Sequence, residues 1–197
     1  MNELSQAWTD YLAVLQEHAP ATRASILPPG ELDLESAQQV LRSPLLPSTV
    51  TWFGLHGGTT PEYNGSPLPR CLPLSLDEAV DNTEMIRDIW QLTFDLDLDP
   101  PETGTAGDVM GTWLDEYVLI AANGSGGGLF VDQRPGSFQG CVRYWDKVDA
   151  DEDPVVSPSL QQFLVEVAAS VQDRRPLPLM GAVPVVTDGE LDWENAN

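Results

Sequence analysis

A chain of 197 residues with 31 acidic and nine basic side chains carries a formal charge of −22, a field that repels phosphate backbones and anionic lipid and so argues against nucleic-acid and membrane binding. Hydrophobic content of 42% with six tryptophans supplies a core and excludes global disorder. No stretch approaches the ~20 apolar residues of a membrane span, and the opening MNELSQAW lacks the basic and apolar regions of a secretory signal, so a cytoplasmic location is expected.

Leu4, Ala7, Trp8, Tyr11, Leu12 and Leu15 recur at helical spacing and predict an amphipathic helix over 3–18. Pro20 stops it, and PATRASILPPG (20–30) reads as a loop. Asp33 is the expected N-cap of a helix that ends near Arg42. In LLPSTVTWFGLHGG (45–58) Pro47 begins a helix and Gly57-Gly58 ends it, with Val50, Trp52 and Phe53 facing inward. A turn-rich connection then leads to RCLPL (70–74), a short strand. The next helix opens on a Ser75–Glu78 capping box, and its buried face is expected at Leu76, Ala79, Met85, Ile86 and Ile89.

Residues 95–112 read as an irregular acidic loop. Strands follow at about 117–122, at GLFVD (128–132) and at CVRYW (141–145), the last two antiparallel because the link between them is short. NGSGGG (123–128) lacks the Gly-Lys-Ser/Thr end of a phosphate loop and is taken as a flexible turn. DKVDADEDPVV (146–156) is a second acidic loop. Ser157-Pro158 caps a helix carrying Leu160, Phe163, Leu164, Val167 and Val171 on one face, and AVPVVTDGELDW (182–193) predicts a hairpin over Asp188-Gly189. Helices first, then a strand meander, then a closing helix give an α+β fold. A single domain over 1–197 is expected, with a mostly antiparallel sheet of about four to six strands on which the N-terminal and closing helices pack.

Four stretches in this order resemble the SUKH superfamily, whose eukaryotic members include a fungal regulator of cell-wall synthesis. They are Leu46-Pro47 followed by TWFGLHGG; the strand-to-helix step LPLSLDEA; the run from Trp113 through Asp132 and Pro135-Gly136 to Gly140-Cys141-Val142; and the closing SPSLQQFLVEV. The resemblance covers about 1–175, and 176–197 stands as a C-terminal extension. Two departures are the glycine-rich turn at 123–128 and the long acidic loop at 95–112. The resemblance implies a non-catalytic protein-binding domain, in bacteria mainly an immunity protein bound to a toxin domain of a polymorphic toxin system. A charge of −22 suits a basic toxin such as a nuclease. A regulatory scaffold binding host proteins is the alternative reading, and a small-ligand binder with a pocket against the sheet is a third.

No residue is nominated as catalytic, metal-binding or cofactor-binding. Asp132, at a strand end before QRPG, is read as a corner residue that accepts turn N–H groups, with partner contact as the alternative. Asp95, Asp97 and Asp99 imitate the start of an EF-hand loop, but Pro100 stands where its turn needs Gly and Ala106 where it needs a bidentate Glu. His18 and His56 fall at predicted helix ends, where the dipole favours them, and no Cys/His cluster has metal spacing. Cys71 and Cys141 read as buried thiols. Partner contacts are expected instead at Asp97, Asp99, Asp108, Asp115, Glu116 and Asp132, with Trp113 as an apolar anchor among the acids.

Overall fold

The computed structural model describes residues 2–94 and 104–196, with backbone alone for 91–94. Asn2 caps helix α1 (Glu3–His18) by accepting the Ser5 N–H at 2.8 Å, and Leu4, Ala7, Trp8, Tyr11 and Leu15 form its buried stripe. The loop expected at 20–30 opens instead with a second helix, α2 (Pro20–Ser25). Pro20 ends α1, yet it suits the first position of a new helix, where its missing N–H is not needed and φ is already set. Helix α3 (Leu34–Leu41) starts at Asp33, whose carboxylate accepts the Ser36 N–H at 3.0 Å. Helix α4 (Pro47–Phe53) buries Trp52 and Phe53, leaves Val50 half-buried and ends before the expected Gly57-Gly58 stop.

The short strand β1 (Leu72–Pro73) leads into helix α5 (Leu76–Phe94). Its capping box is reciprocal: Glu78 N–H donates to Ser75 Oγ at 3.2 Å, and Ser75 N–H donates to Glu78 Oε2 at 2.8 Å. The expected buried face is only partly right. Leu76, Ala79 and Ile86 are buried, but Met85 and Ile89 are 50% and 55% exposed, and Thr83 and Arg87 take the inner row. At 3.6 residues per turn Met85 stands about 180° around the helix from Leu76, so the two cannot share a face.

Strands β2 (Tyr117–Ala122), β3 (Gly128–Asp132) and β4 (Cys141–Trp145) complete an antiparallel sheet in the order β1-β2-β3-β4. Every residue of β3 is buried, as are Tyr117–Ala121 of β2, so both faces of the sheet's centre are covered. The outer edge of β4 is closed by Val156 and Ser157, since Val142 N–H donates to the Ser157 carbonyl at 2.8 Å. That pairing takes Ser157 away from helix α6 (Leu160–Asp173), whose N-cap is Ser159 rather than Ser157-Pro158. Helix α6 lays Leu160, Phe163, Leu164, Val167 and Val171 against the core, beside α1.

The last two strands, β5 (Ala182–Thr187) and β6 (Glu190–Asn195), form a separate two-stranded sheet rather than extending the first. Their turn sets Asp188 and Gly189 at φ 54° and 83°, the two positive values of a type I′ hairpin. Thr22 anchors the hairpin: its hydroxyl donates to the Asn64 carbonyl at 2.6 Å and accepts the Leu191 N–H at 2.8 Å. Trp193 Nε1–H donates to the Ser66 carbonyl at 3.0 Å, and Ala182, Leu191 and Trp193 join the common apolar cluster. The architecture is α+β, and among the described residues no helix is long and apolar enough to cross a membrane.

His56 lies in this core rather than at a helix end, its ring 5.0 Å from Trp8 and 4.7 Å from Trp52. Burial pushes its pKa down to about 4, so the ring stays neutral and makes no cationic contact with a helix dipole. The unfolded chain takes up that proton near the ordinary value of ~6.5. The stability held by the neutral ring is therefore whole above ~6.5 and lost as pH falls toward 4. Urea unfolding at about pH 7 and pH 4.5 is expected to show a drop about 1–3 kcal/mol larger for the native chain than for His56→Phe. Parallel pH profiles for the two would contradict it.

Candidate functional site

The sheet ends β3 at Asp132 and carries Arg143 in the middle of β4, directly beside it in register with Phe130. Alternation along a buried strand leaves Arg143 no route to water, and a buried guanidinium must find carboxylate and carbonyl oxygens inside. Asp132, Arg134, Arg143 and Asp151 supply two cations and two anions, each no more than 1% exposed.

Arg134 binds Asp132 in a fork, Nη2 to Oδ2 at 2.7 Å and Nε to Oδ1 at 3.0 Å. Arg143 Nη1 pairs with Asp151 Oδ2 at 3.0 Å and stands 4.0 Å from Asp132 Oδ2. The loops are drawn in by backbone groups. Gly107 N–H donates to Asp132 Oδ2 at 2.9 Å, and Met110 and Gly111 N–H donate to the Asp151 carboxylate at 2.7–3.1 Å. The Asp108 carbonyl accepts from both guanidiniums, at 2.7 Å from Arg134 and 2.9 Å from Arg143. Arg143 Nη2 reaches the carbonyls of Asp151 and Asp153. Tyr117 donates its hydroxyl to Asp151 Oδ2 at 2.8 Å, and burial together with that carboxylate raises its pKa above the ordinary value.

Asp132 is thus a corner residue, and a more heavily bonded one than a turn cap. It accepts the Arg134 N–H at 3.2 Å as a corner should, but a neighbouring guanidinium completes its coordination. Fully buried, it offers no surface to a partner. Trp113 is likewise not an exposed anchor. It is 7% exposed, with its ring 5.0 Å from Trp145, 5.7 Å from Tyr117 and 5.8 Å from Phe130, because an indole in the segment leading into β2 gains more from the core than from a rim of acids.

The remaining candidates separate by location. Asp97 and Asp99 lie outside the described residues, as do Asp95 and Pro100 of the EF-hand imitation. Asp108 displays its carboxylate in solvent and accepts the Thr105 N–H and hydroxyl at 2.7 and 2.9 Å. Those bonds lower its pKa first, and the two guanidiniums add to the effect. Asp115 pairs with Arg87 Nε at 2.9 Å, and Glu116 is half-buried beside it. Asp108 and Asp132 therefore belong to one network, which Asp115 and Glu116 do not join.

The sequence marks Arg134 and Arg143 as the cations that keep Asp132 ionised, as the structure has them, but not the burial of either arginine or of Asp151. Asp151 could not be picked from a run of similar acids, but Arg143 inside CVRYW was a usable signal, because an arginine in an otherwise apolar strand demands a buried anion. Among the described residues no group of three or more His, Cys, Asp or Glu could hold a metal ion. Cys71 and Cys141 are free and buried, each pushed up to about 12, chiefly by burial. Cavities of about 220, 330 and 510 Å³ open beside the helices, and none is lined by β2, β3 or β4.

Against models of known protein families the chain gives no match, and it matches none of the curated proteins compared with it. The resemblance to SUKH proteins therefore stands on the sequence motifs alone.

Asp132→Ala is expected to cost about 3–5 kcal/mol in chemical unfolding, beyond the ~0.5–2 kcal/mol of a lost turn cap, because it strands Arg134 in the interior. Arg143→Met is expected to be similarly costly. Combining it with Asp151→Asn, which keeps an acceptor for the Met110 and Gly111 N–H groups, is expected to recover part of the loss. A double variant less stable than Arg143→Met would contradict the pairing.

Proposed function

We propose that this chain is a non-catalytic protein-binding domain whose partner is basic, and that it serves as a cytoplasmic immunity protein neutralising a toxin domain. One observation carries the reading. Between 104 and 153 the chain has three basic residues, and the fold consumes two of them, Arg134 and Arg143, inside the quartet. The exposed charged side chains of that stretch are Asp108, Asp115, Asp149, Glu152 and Asp153 against Lys147. The surface is therefore more one-signed than the composition, and buried ion pairs hold much of its backbone in place. Negative side chains on a rigid base attract a cationic surface and speed its encounter. A nuclease-type toxin, whose substrate-binding surface must be cationic to hold phosphates, fits that field. The SUKH resemblance supplies the biological setting.

Affinity capture from the native cell, followed by mass spectrometry, would name the partner, and stopped-flow association with the purified partner tests the physics. Asp149→Asn, Glu152→Gln and Asp153→Asn combined are expected to slow association about tenfold at low salt and to flatten its salt dependence, with thermal stability little changed. Stoichiometric loss of the partner's toxicity on mixing supports the immunity role. A captured regulator without toxic activity would favour a scaffold, and association that ignores salt would count against the electrostatic reading altogether.

A further inference from the structure

Three segments distant in sequence meet at the surface above the quartet. A Cβ on Gly107 would touch the Phe138 ring at 3.3 Å, and one on Gly136 would meet Thr105 at 3.1 Å, so the 104–110 and 135–138 segments lie flat against each other. Ala106 N–H donates to the Pro135 carbonyl at 3.1 Å along the same seam. The Arg143 guanidinium holds the Asp108 and Asp153 carbonyls at 2.9 and 3.2 Å, which brings the third segment alongside. Within these segments Phe138 and Val109 remain 45% and 52% exposed, and the carboxylates of Asp108 and Asp153 are exposed as well.

We propose that this face, Val109 and Phe138 rimmed by Asp108 and Asp153, docks a basic segment of a protein partner. The proposal rests on the acidic-partner reading above and gives it a location and an anchor. An uncharged apolar partner would have to desolvate the flanking carboxylates without compensation. A phosphate-bearing partner would be repelled, since the arginines of this region lie beneath the surface and are neutralised there. An arginine- or lysine-bearing segment satisfies both parts of the face: its cation pairs with Asp108 or Asp153, and its aliphatic stem or guanidinium plane covers the Phe138 ring. Bonds to Asp132, Asp151, Arg134 and Arg143 hold the backbone beneath, so little ordering entropy is lost on docking. Phe138 takes the anchor role that Trp113, buried in the core, cannot fill.

The test uses a synthetic peptide of alternating arginine and leucine, titrated into the isotope-labelled full chain by NMR at low salt. Shift changes concentrated at 104–110, 135–139 and 151–153 are expected, and Val109→Ser/Phe138→Ser should weaken binding about tenfold. Val148→Ser, which removes an apolar side chain exposed elsewhere, should leave binding unchanged. Val109→Ser alone, with an intermediate loss, keeps the result readable if the double variant melts early. Shifts centred on other acidic surface, with the double variant binding as the native chain does, overturn this face and leave the acidic-partner reading standing. A peptide that does not bind, or a glutamate–leucine peptide that binds equally well, overturns both.

Discussion

Two guanidiniums and two carboxylates sealed from water have to neutralise one another, and most of the surface described above follows from that requirement. Arg143 cannot leave, because it is itself fully buried in the middle of β4, with Cys141 and Trp145 buried on the same face to either side. Its anion, Asp151, must come from the loop after β4, and its two Nη groups find the carbonyls of Asp108, Asp151 and Asp153 as well. Arg134, brought in by the turn after β3, ties Asp132 to the Asp108 carbonyl. Two loop segments, 104–111 and 149–153, that would otherwise sample many conformations are drawn onto the sheet. A buried ionic group of this kind adds little net stability over an apolar equivalent of the same shape. Its effect is positional: a shift of either loop would leave a charge or several N–H groups unpaired in the interior.

The same economy explains the electrostatic surface. Folding withdraws the arginines of this region together with the carboxylates that match them, so the interior is neutral and the excess acid is left outside. Asp108 joins the two layers. Its carbonyl accepts from both arginines, while its carboxylate caps Thr105 in solvent. A proposed partner would thus meet charges whose positions are set by bonds inside the protein.

The aromatic core works alongside this polar centre. Trp113, Tyr117, Phe130 and Trp145 pack edge to face or tilted around the base of the sheet, and Trp90 of α5 extends the cluster through Trp145. Arg134 lies over Tyr117 at 5.2 Å and Arg143 over Phe130 at 5.6 Å, so the guanidiniums are desolvated against rings as well as paired with carboxylates. Among the helices Trp8, Trp52 and His56 pack ring to ring, and Thr22 and Trp193 fasten the terminal hairpin with hydrogen bonds over long sequence separations.

Local chemistry determined much of the fold: the caps at Asp33 and Ser75, the three strands from 117 to 145 and the Asp188-Gly189 hairpin are each written in a few adjacent residues with a short-range physical cause. Pro20 shows the limit of such signals, because the same proline ends one helix and begins the next, and only the turn at Ala19 separates the two outcomes. Met85 and Ile89 were misplaced because apolarity was read without the angle each residue takes around the helix. The site was legible only in part. Asp132 stood out as a corner by its place in the chain, whereas Asp151 looked like any other acid in a solvated loop. Burial of Asp151, the inward turn of Arg134 and the packing of Trp113 were decided by tertiary structure. The energy of a charge or an indole depends on what surrounds it, and those surroundings come from segments tens of residues away.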